Sequence, residues 1–303
     1  MSGSPSTRGW AGRSLGGDIG HRLVHAFARI GGVTLCYLLL IPPTCYYFAV
    51  LRERRRLVAS YWRRLRPDLG RWGCLFMAWR HFYSFARILA DRFLAGNPGA
   101  LAHCSLGYAR LQESMAESHG CLIISAHVGN WELSSHFLSS YRIGAFNLVM
   151  LDAEDPAIAQ RIRATLSSRQ ITIIDLADTL NASLMIVSAL GRGETCCMLS
   201  DRTAGDEVHT VAVPFLGGLA RFPTGPFLAA AATGAVILPA FCLKTGWRSY
   251  TTFALPPVRL HFTSRRTRTR ELEAAVANWA RLLEAVVRRY PLQWHNFYDF
   301  WQI

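Results

Sequence analysis

From residue 121 onward, short apolar runs of strand length alternate with amphipathic stretches, and this alternation constrains the fold more than any other feature of the chain. The strand candidates are CLIISA (121–126), FNLVML (146–151), ITII (171–174), TCCML (195–199), VHTVAV (208–213), AVILPAF (235–241) and YTTFAL (250–255). Between and after them lie helix candidates at 130–140, 155–168, 179–190, 224–233 and 270–290. Each run is too short to bury itself, so the elements must stack as an α/β layer fold around a largely central sheet. The last helix is the best defined: Leu272, Val276, Trp279, Leu283, Val286 and Tyr290 recur at helical spacing, and Pro291 ends it.

The N-terminal third reads differently. Residues 1–20 are rich in Gly and Ser and are expected to be disordered. Residues 30–51 carry no charged side chain, which is long enough to span a bilayer. Pro42 and Pro43 sit near the middle and would break or kink a helix, so a hairpin dipping into one leaflet is the alternative. The apolar run starts late and lacks a small-residue cleavage site, which argues against a cleaved signal peptide. Seven arginines follow within residues 52–66. That bias places the downstream chain on the cytoplasmic side, and it suits a helix among anionic head groups as well as a solvated helix face. Residues 72–95 are helical in length and apolar on most faces, fit for a core or for lipid. The expected division is a disordered start (1–20), a membrane-associating helical region (21–95) and a catalytic domain (96–303).

The formal net charge is +13, and of the basic residues only Lys244 is lysine. Such a surface attracts phosphates, anionic lipid or an acidic protein. No helix-turn-helix, zinc-finger or RNA-binding signature accompanies the charge, so nucleic acid is not an expected partner. The eight cysteines form no C-x-x-C pair and sit mostly in apolar runs, as reduced thiols do; neither a disulfide framework nor a zinc site is expected.

The stretch IISAHVGNWELSSHF (123–137) concentrates the chemistry. His127 follows a strand candidate, Gly129 and Asn130 allow a tight turn with Asn130 as N-cap, and Glu132 falls in the first helical turn. Reactive groups collect where strands end and helices begin in open α/β sheets. Glu132 folded back across the turn would accept the Nδ1 proton of His127 and leave Nε2 as a general base, with the nucleophile supplied by the substrate. By itself the spacing also suits a structural histidine. Ser125 lies two residues before His127, but no G-x-S-x-G elbow presents it as a nucleophile.

The surroundings of this turn carry a resemblance. HVGNWE is similar to the His-x4-Asp/Glu motif of the lysophospholipid acyltransferase superfamily. The chain resembles most closely the branch of bacterial lipid A lauroyl and myristoyl acyltransferases, over roughly residues 30–303. An uncharged anchor precedes a basic segment and then HVGNWE. SDRTAGDEVHTVAVPFLGGLARFPTGPFLAAAATGAVILPAF (200–241) resembles that branch's second conserved region, and YPLQWHNFYDFW resembles its aromatic ending.

The resemblance implies a mixed sheet flanked by helices, as in glycerol-3-phosphate acyltransferases, behind an apolar membrane-associating segment. It implies an acyl thioester co-substrate, on acyl carrier protein or coenzyme A, and a hydroxyl acceptor on a membrane lipid or glycolipid, of lipid A type. No metal and no other cofactor is expected. By analogy His127 and Glu132 are catalytic, and Asn130, Asp201, Arg202, Thr224 and Gly225 bind substrate. Arg202 would meet a phosphate or the oxyanion, unless it simply pairs with Asp201 or Asp206. Thr224 and Gly225 open a helix whose N–H groups could face an anion. Asp152 and Glu154 are weaker acceptor candidates. The implied location is the inner membrane, with the catalytic domain on the cytoplasmic face. Glu132 departs from the Asp of many members, and Asp201-Arg202-Thr203 departs from the Glu-Gly-Thr-Arg block of glycerophosphate acyltransferases. Other acceptors therefore stay open: a lysophospholipid or an aryl polyene pigment. So do a hydrolase passing the acyl group to water and a non-catalytic anionic-lipid-binding protein.

Overall fold

The computed structural model describes residues 32–94, 97, 99–133, 145–150, 171–202 and 209–301. The strands are β1 (Ala102–Leu106), β2 (Cys121–Ser125), β3 (Phe146–Met150), β4 (Ile171–Asp175), β5 (Thr195–Leu199), β6 (Thr210–Phe215), β7 (Gly218–Pro223), β8 (Val236–Lys244) and β9 (Ser249–Ala254). The helices are α1 (Gly32–Val50), broken by a turn at Leu40, α2 (Arg52–Leu65), α3 (Arg71–Leu94), α4 (Tyr108–Met115), α5 (Thr179–Gly191), α6 (Gly225–Thr233) and α7 (Arg268–Arg289). A further helical turn starts at Trp131.

Seven strands form one mixed sheet in the order β1-β9-β8-β2-β5-β3-β4, and β6 pairs with β7 as a separate hairpin. Only the β8–β9 pairing is antiparallel within the large sheet. β2 lies at the centre, and all five of its residues are buried. A strand covered on both faces has no polar side, which is why CLIIS reads as a continuous apolar run. All seven expected strands correspond to observed ones. Two were missed, for separate reasons. β1 is an edge strand whose burial alternates, and AHCSL offers no apolar run to detect. β7 follows a two-residue turn of Leu216 and Gly217, both with positive φ, where Asn-Gly would be the usual signal. Leu216 tolerates its φ of 49° because its side chain is buried in the main core.

Helix α7 buries Val276, Trp279 and Leu283 of the expected stripe together with Ala280 and Val287, packs Leu272, Val286 and Tyr290 partly buried against the same core, and ends at Arg289 before Pro291. Asp178 caps α5 by accepting from the Asn181 N–H at 3.1 Å. The expected helix at 155–168, most of that at 130–140, the disordered residues 1–20, and Asp152 and Glu154 lie outside the described residues.

Among the described residues, α1 is the one helix long and apolar enough to cross a membrane, and little of it is buried. Pro42 and Pro43 stand at the first turn where the helix restarts, the position that tolerates proline. Leu38, Tyr46 and Val50 of α1, with Trp72 and Phe76 of α3, present large apolar side chains to the surface. Val58, Tyr61, Trp62 and Leu65 of α2, and Cys74, Ala78 and Phe82 of α3, belong to the same core as Leu122 and Ile124 of β2. Several basic side chains of α2 are engaged within the fold. Arg54 donates to the Phe297 carbonyl at 2.6 Å, Arg55 donates to that of Phe48, and Arg64 stacks over Trp301 at 4.5 Å.

Candidate active site

β2 and β5 run parallel in register, with Ser125 opposite Leu199. Both strands end there, and the Ser200 N–H continues the ladder by donating to the Ser125 carbonyl at 2.8 Å. Two residues past each strand end the register brings His127 opposite Asp201. The Nδ1 of His127 lies 2.8 Å from Asp201 Oδ1, and the backbone N–H of His127 donates to Oδ2 at 3.1 Å. The Trp294 indole N–H donates to the same Oδ2 at 3.2 Å.

Asp201 is fully buried, whereas the His127 side chain keeps 24% of its surface exposed. Burial alone would raise the Asp201 pKa. The facing imidazole, the hydrogen bonds and Arg202 outweigh it and hold the carboxyl at about 2. Burial and the Arg202 guanidinium push the His127 imidazole below its ordinary value, against the pull of Asp201. The result is a neutral imidazole whose Nδ1–H is committed to a carboxylate, leaving Nε2 as the basic nitrogen.

The expected partner of Nδ1 was Glu132, and here the structure corrects the reading. Glu132 forms an ion pair with Arg92 of α3. The turn explains the difference. Gly129 has φ of 72°, and a Cβ there would lie 2.1 Å from the Cys242 carbonyl oxygen, so only glycine fits without moving backbone. The next N–H, of Asn130, donates to that carbonyl at 2.8 Å. The Asn130 side chain accepts from the Leu133 N–H at 3.2 Å, the expected N-cap, and donates to the Ile88 carbonyl. Pinned this way, the helical turn at Trp131 delivers Glu132 to α3.

The end of the chain completes the site. Val128 pairs antiparallel with Trp294; the Gly129 N–H donates to the Gln293 carbonyl, and the His295 N–H to the His127 carbonyl, each at 2.8 Å. Arg202 donates to the His295 carbonyl at 2.6 Å and lies 5.1 Å over the Tyr298 ring. Behind it the buried rings of His81 and His295 meet edge to face at 5.8 Å.

The sequence pattern of the bacterial lipid A biosynthesis acyltransferase family matches residues 102–302, which takes in β1, the His127 turn, Asp201 and the aromatic ending. The chain belongs to that family. Two curated relatives share part of this region. One is a phosphatidylinositol mannoside acyltransferase of Mycobacterium tuberculosis strain H37Rv, 28% identical over 142 residues, covering 46% of this chain and 44% of the relative. The protein of the same name from strain CDC 1551 is 27% identical over the same share. The aligned segment thus spans less than half the length of either relative.

Within this lipid A acyltransferase family member, the other expected site residues divide between the His127 turn and the start of α6. Asn130, Asp201 and Arg202 gather around the His127 turn, but in supporting contacts. Thr224 is buried, and both its N–H and its hydroxyl donate to the His209 carbonyl, at 3.0 and 2.9 Å. Its carbonyl opens α6 by accepting from Phe227 and Leu228, and Gly225 is the first residue of that helix. Ser125 is buried at the end of β2. Among the described residues no group of three or more His, Cys, Asp or Glu side chains could hold a metal ion. Sequence reasoning missed Arg92, Gln293 and Trp294 as members of the site, and it assigned Asp201 to substrate. His127 and Asp201 each lie just past a strand recognised in the sequence, but only the structure makes those strands neighbours.

Proposed function

We propose that this protein is a membrane-associated acyltransferase that moves a fatty acyl group from a thioester to a sugar hydroxyl of an amphiphilic glycolipid. The observation that carries the reading is the His127–Asp201 pair, with a neutral imidazole in a partly open position and its carboxylate buried under three donors. A sugar-bearing acceptor is what the family description and the phosphatidylinositol mannoside relatives have in common. The exposed apolar side chains of α1 and α3 support a working position at a bilayer, where an amphiphilic acceptor would reside. The inner membrane, with the site on the cytoplasmic side, fits the arginine-rich α2 that follows α1.

In this mechanism His127 Nε2 takes the proton of the acceptor hydroxyl as its oxygen bonds to the thioester carbonyl carbon. Asp201 keeps the proton on Nδ1 and stabilises the imidazolium that forms, the orienting role of the acid in a triad. The tetrahedral intermediate collapses with cleavage of the C–S bond, and His127 returns its proton to the leaving thiolate. The products are an ester and a free thiol on coenzyme A or acyl carrier protein.

The test uses the full chain in detergent, with acyl-coenzyme A and acyl carrier protein thioesters offered in turn to purified glycolipids. Mass spectrometry should find an acceptor heavier by one acyl group, and His127→Ala should form none. Undiminished transfer by that variant defeats the proposal; thioester loss with no acylated lipid assigns the site to hydrolysis instead.

A further inference from the structure

The only lysine of the chain is buried, away from the reacting groups, in a cluster the mechanism does not use. Lys244 Nζ donates to Asp91 Oδ2 at 2.8 Å and to the Tyr37 hydroxyl at 2.7 Å. The Tyr37 hydroxyl donates to Asp91 Oδ1 at 2.6 Å, and the Tyr250 hydroxyl donates to Oδ2. The ammonium also lies 5.0 Å from the Tyr37 ring centre and 4.7 Å from that of Tyr250. Asp91, Tyr37 and Tyr250 are fully buried. Four elements thus meet at one carboxylate: α1 through Tyr37, α3 through Asp91, β8 through Lys244 and β9 through Tyr250.

Both neighbours of this cluster in the chain hold the catalytic turn. On α3, Ile88, Asp91 and Arg92 share one helical face. Ile88 accepts from the Asn130 side chain, and Arg92 pairs with Glu132. On β8, the Cys242 carbonyl accepts from the Asn130 N–H. Lys244 exchanges two backbone hydrogen bonds with the Gln293 side chain, at 2.9 and 2.8 Å, and the Gln293 carbonyl holds the Gly129 N–H. Burying an ammonium and a carboxylate is costly, and the cost is offset only while every partner stays in place. The arrangement therefore favours one seating of α1, α3 and β8 and penalises the rest.

We propose that Tyr37 and Asp91 are positioning residues for acyl transfer: their buried contact makes the geometry of the His127 turn depend on the seating of the apolar helix α1. The helix is then a structural part of the active site as well as a membrane contact. Its Tyr37 face belongs to the protein, together with the buried Val33 and Cys36, while Leu38, Tyr46 and Val50 face outward. For its catalytic consequence the proposal rests on the acyl-transfer reading; the coupling itself does not.

Tyr37→Phe is the informative variant, since it removes one hydroxyl and leaves the ring and the Lys244–Asp91 pair. Two quantities are read on the full chain, in detergent and at a temperature where both proteins are folded. Hydrogen exchange at the Gly129 and Asn130 amides should quicken by about tenfold if a bond bracing the turn is lost. The kcat for acyl transfer should fall about tenfold with KM unchanged within twofold, as misplacement of a catalytic group requires. Loss of global stability alone would lower the melting temperature and quicken the slowest amides of the whole sheet together with kcat unchanged, whereas a loosened turn quickens Gly129 and Asn130 selectively and lowers kcat. Wild-type exchange at both amides, or wild-type kcat, overturns the proposal. If the wild-type chain transfers no acyl group, the reaction assignment has failed, and the exchange rates still decide whether α1 and the turn are coupled.

Discussion

His127 and Asp201 occupy matching places beyond two neighbouring parallel strands, and a 2.8 Å hydrogen bond joins Nδ1 of one to Oδ1 of the other. The carboxylate serving the histidine thus comes from the adjacent strand. The acid five residues along the same turn serves α3.

The first prediction separates the two acids. Asp201→Asn keeps the shape but loses the acceptor that fixes the tautomer, and kcat for acyl transfer should fall by about 10³–10⁴-fold. Glu132→Gln should cost far less. Its loss should be recovered in part by the charge-reversed pair Glu132→Arg with Arg92→Glu, because the ion pair acts as a clamp and not as a proton acceptor. Equal, unrecoverable losses at both positions would restore Glu132 as the partner of His127.

The pH dependence of the rate follows from the depressed imidazole. A base works when neutral, and His127 titrates below its ordinary 6.5, so kcat/KM should rise through a limb below pH 6.5 and stay flat above it. Arg202 contributes to that depression. Arg202→Gln should move the limb to higher pH, a shift readable from initial rates between pH 5 and 8.

Much of this was legible beforehand, and the failures have physical causes. The sheet announced itself because its central strands are buried on both faces, and α7 because its stripe is regular. His127 stands out by its place at a strand end together with the resemblance of its surroundings, and its catalytic role is the reading proposed above. Asp201 reads from sequence as a substrate-binding residue and not as the partner of His127, because strand order is a non-local property: in sequence 121–126 is followed by 146–151, whereas in space β5 lies between β2 and β3. Arg92 and Gln293 reach the turn from remote segments of the chain; Arg92 carries no local pattern, and the pattern around Gln293 says nothing of its link to the turn.

Acid should destabilise the fold. Burial pushes His81 down to about 3, and burial together with His81, Arg202 and His127 pushes His295 well below its usual range. Both must take up protons when the chain unfolds. Their contribution is complete above about pH 6.5, the unfolded value, and drains away as pH falls toward 3. Urea unfolding at pH 7.5 and 5.0 should show the lower midpoint at pH 5.0, with the gap narrowed in His81→Phe.

Membrane attraction should reside in those arginines of α2 that stay exposed. Arg54 and Arg55 hold other segments of the chain, whereas Arg52, Arg56 and Arg63 face solvent. Changing these three to Gln should weaken binding to vesicles containing anionic lipid by about 1 kcal/mol each, with little effect on neutral vesicles. Flotation assays on both vesicle types would measure it, and undiminished binding to anionic vesicles would rule out this surface.

The pairing of Val128 with Trp294 has a bearing on biosynthesis. A nascent chain long enough to have made every strand of the large sheet still lacks the indole that caps Asp201 and the amide that secures His127. Acyl-transfer competence should therefore wait until Trp294 and His295 have joined the fold, so that a polypeptide stopped short of them cannot spend thioesters.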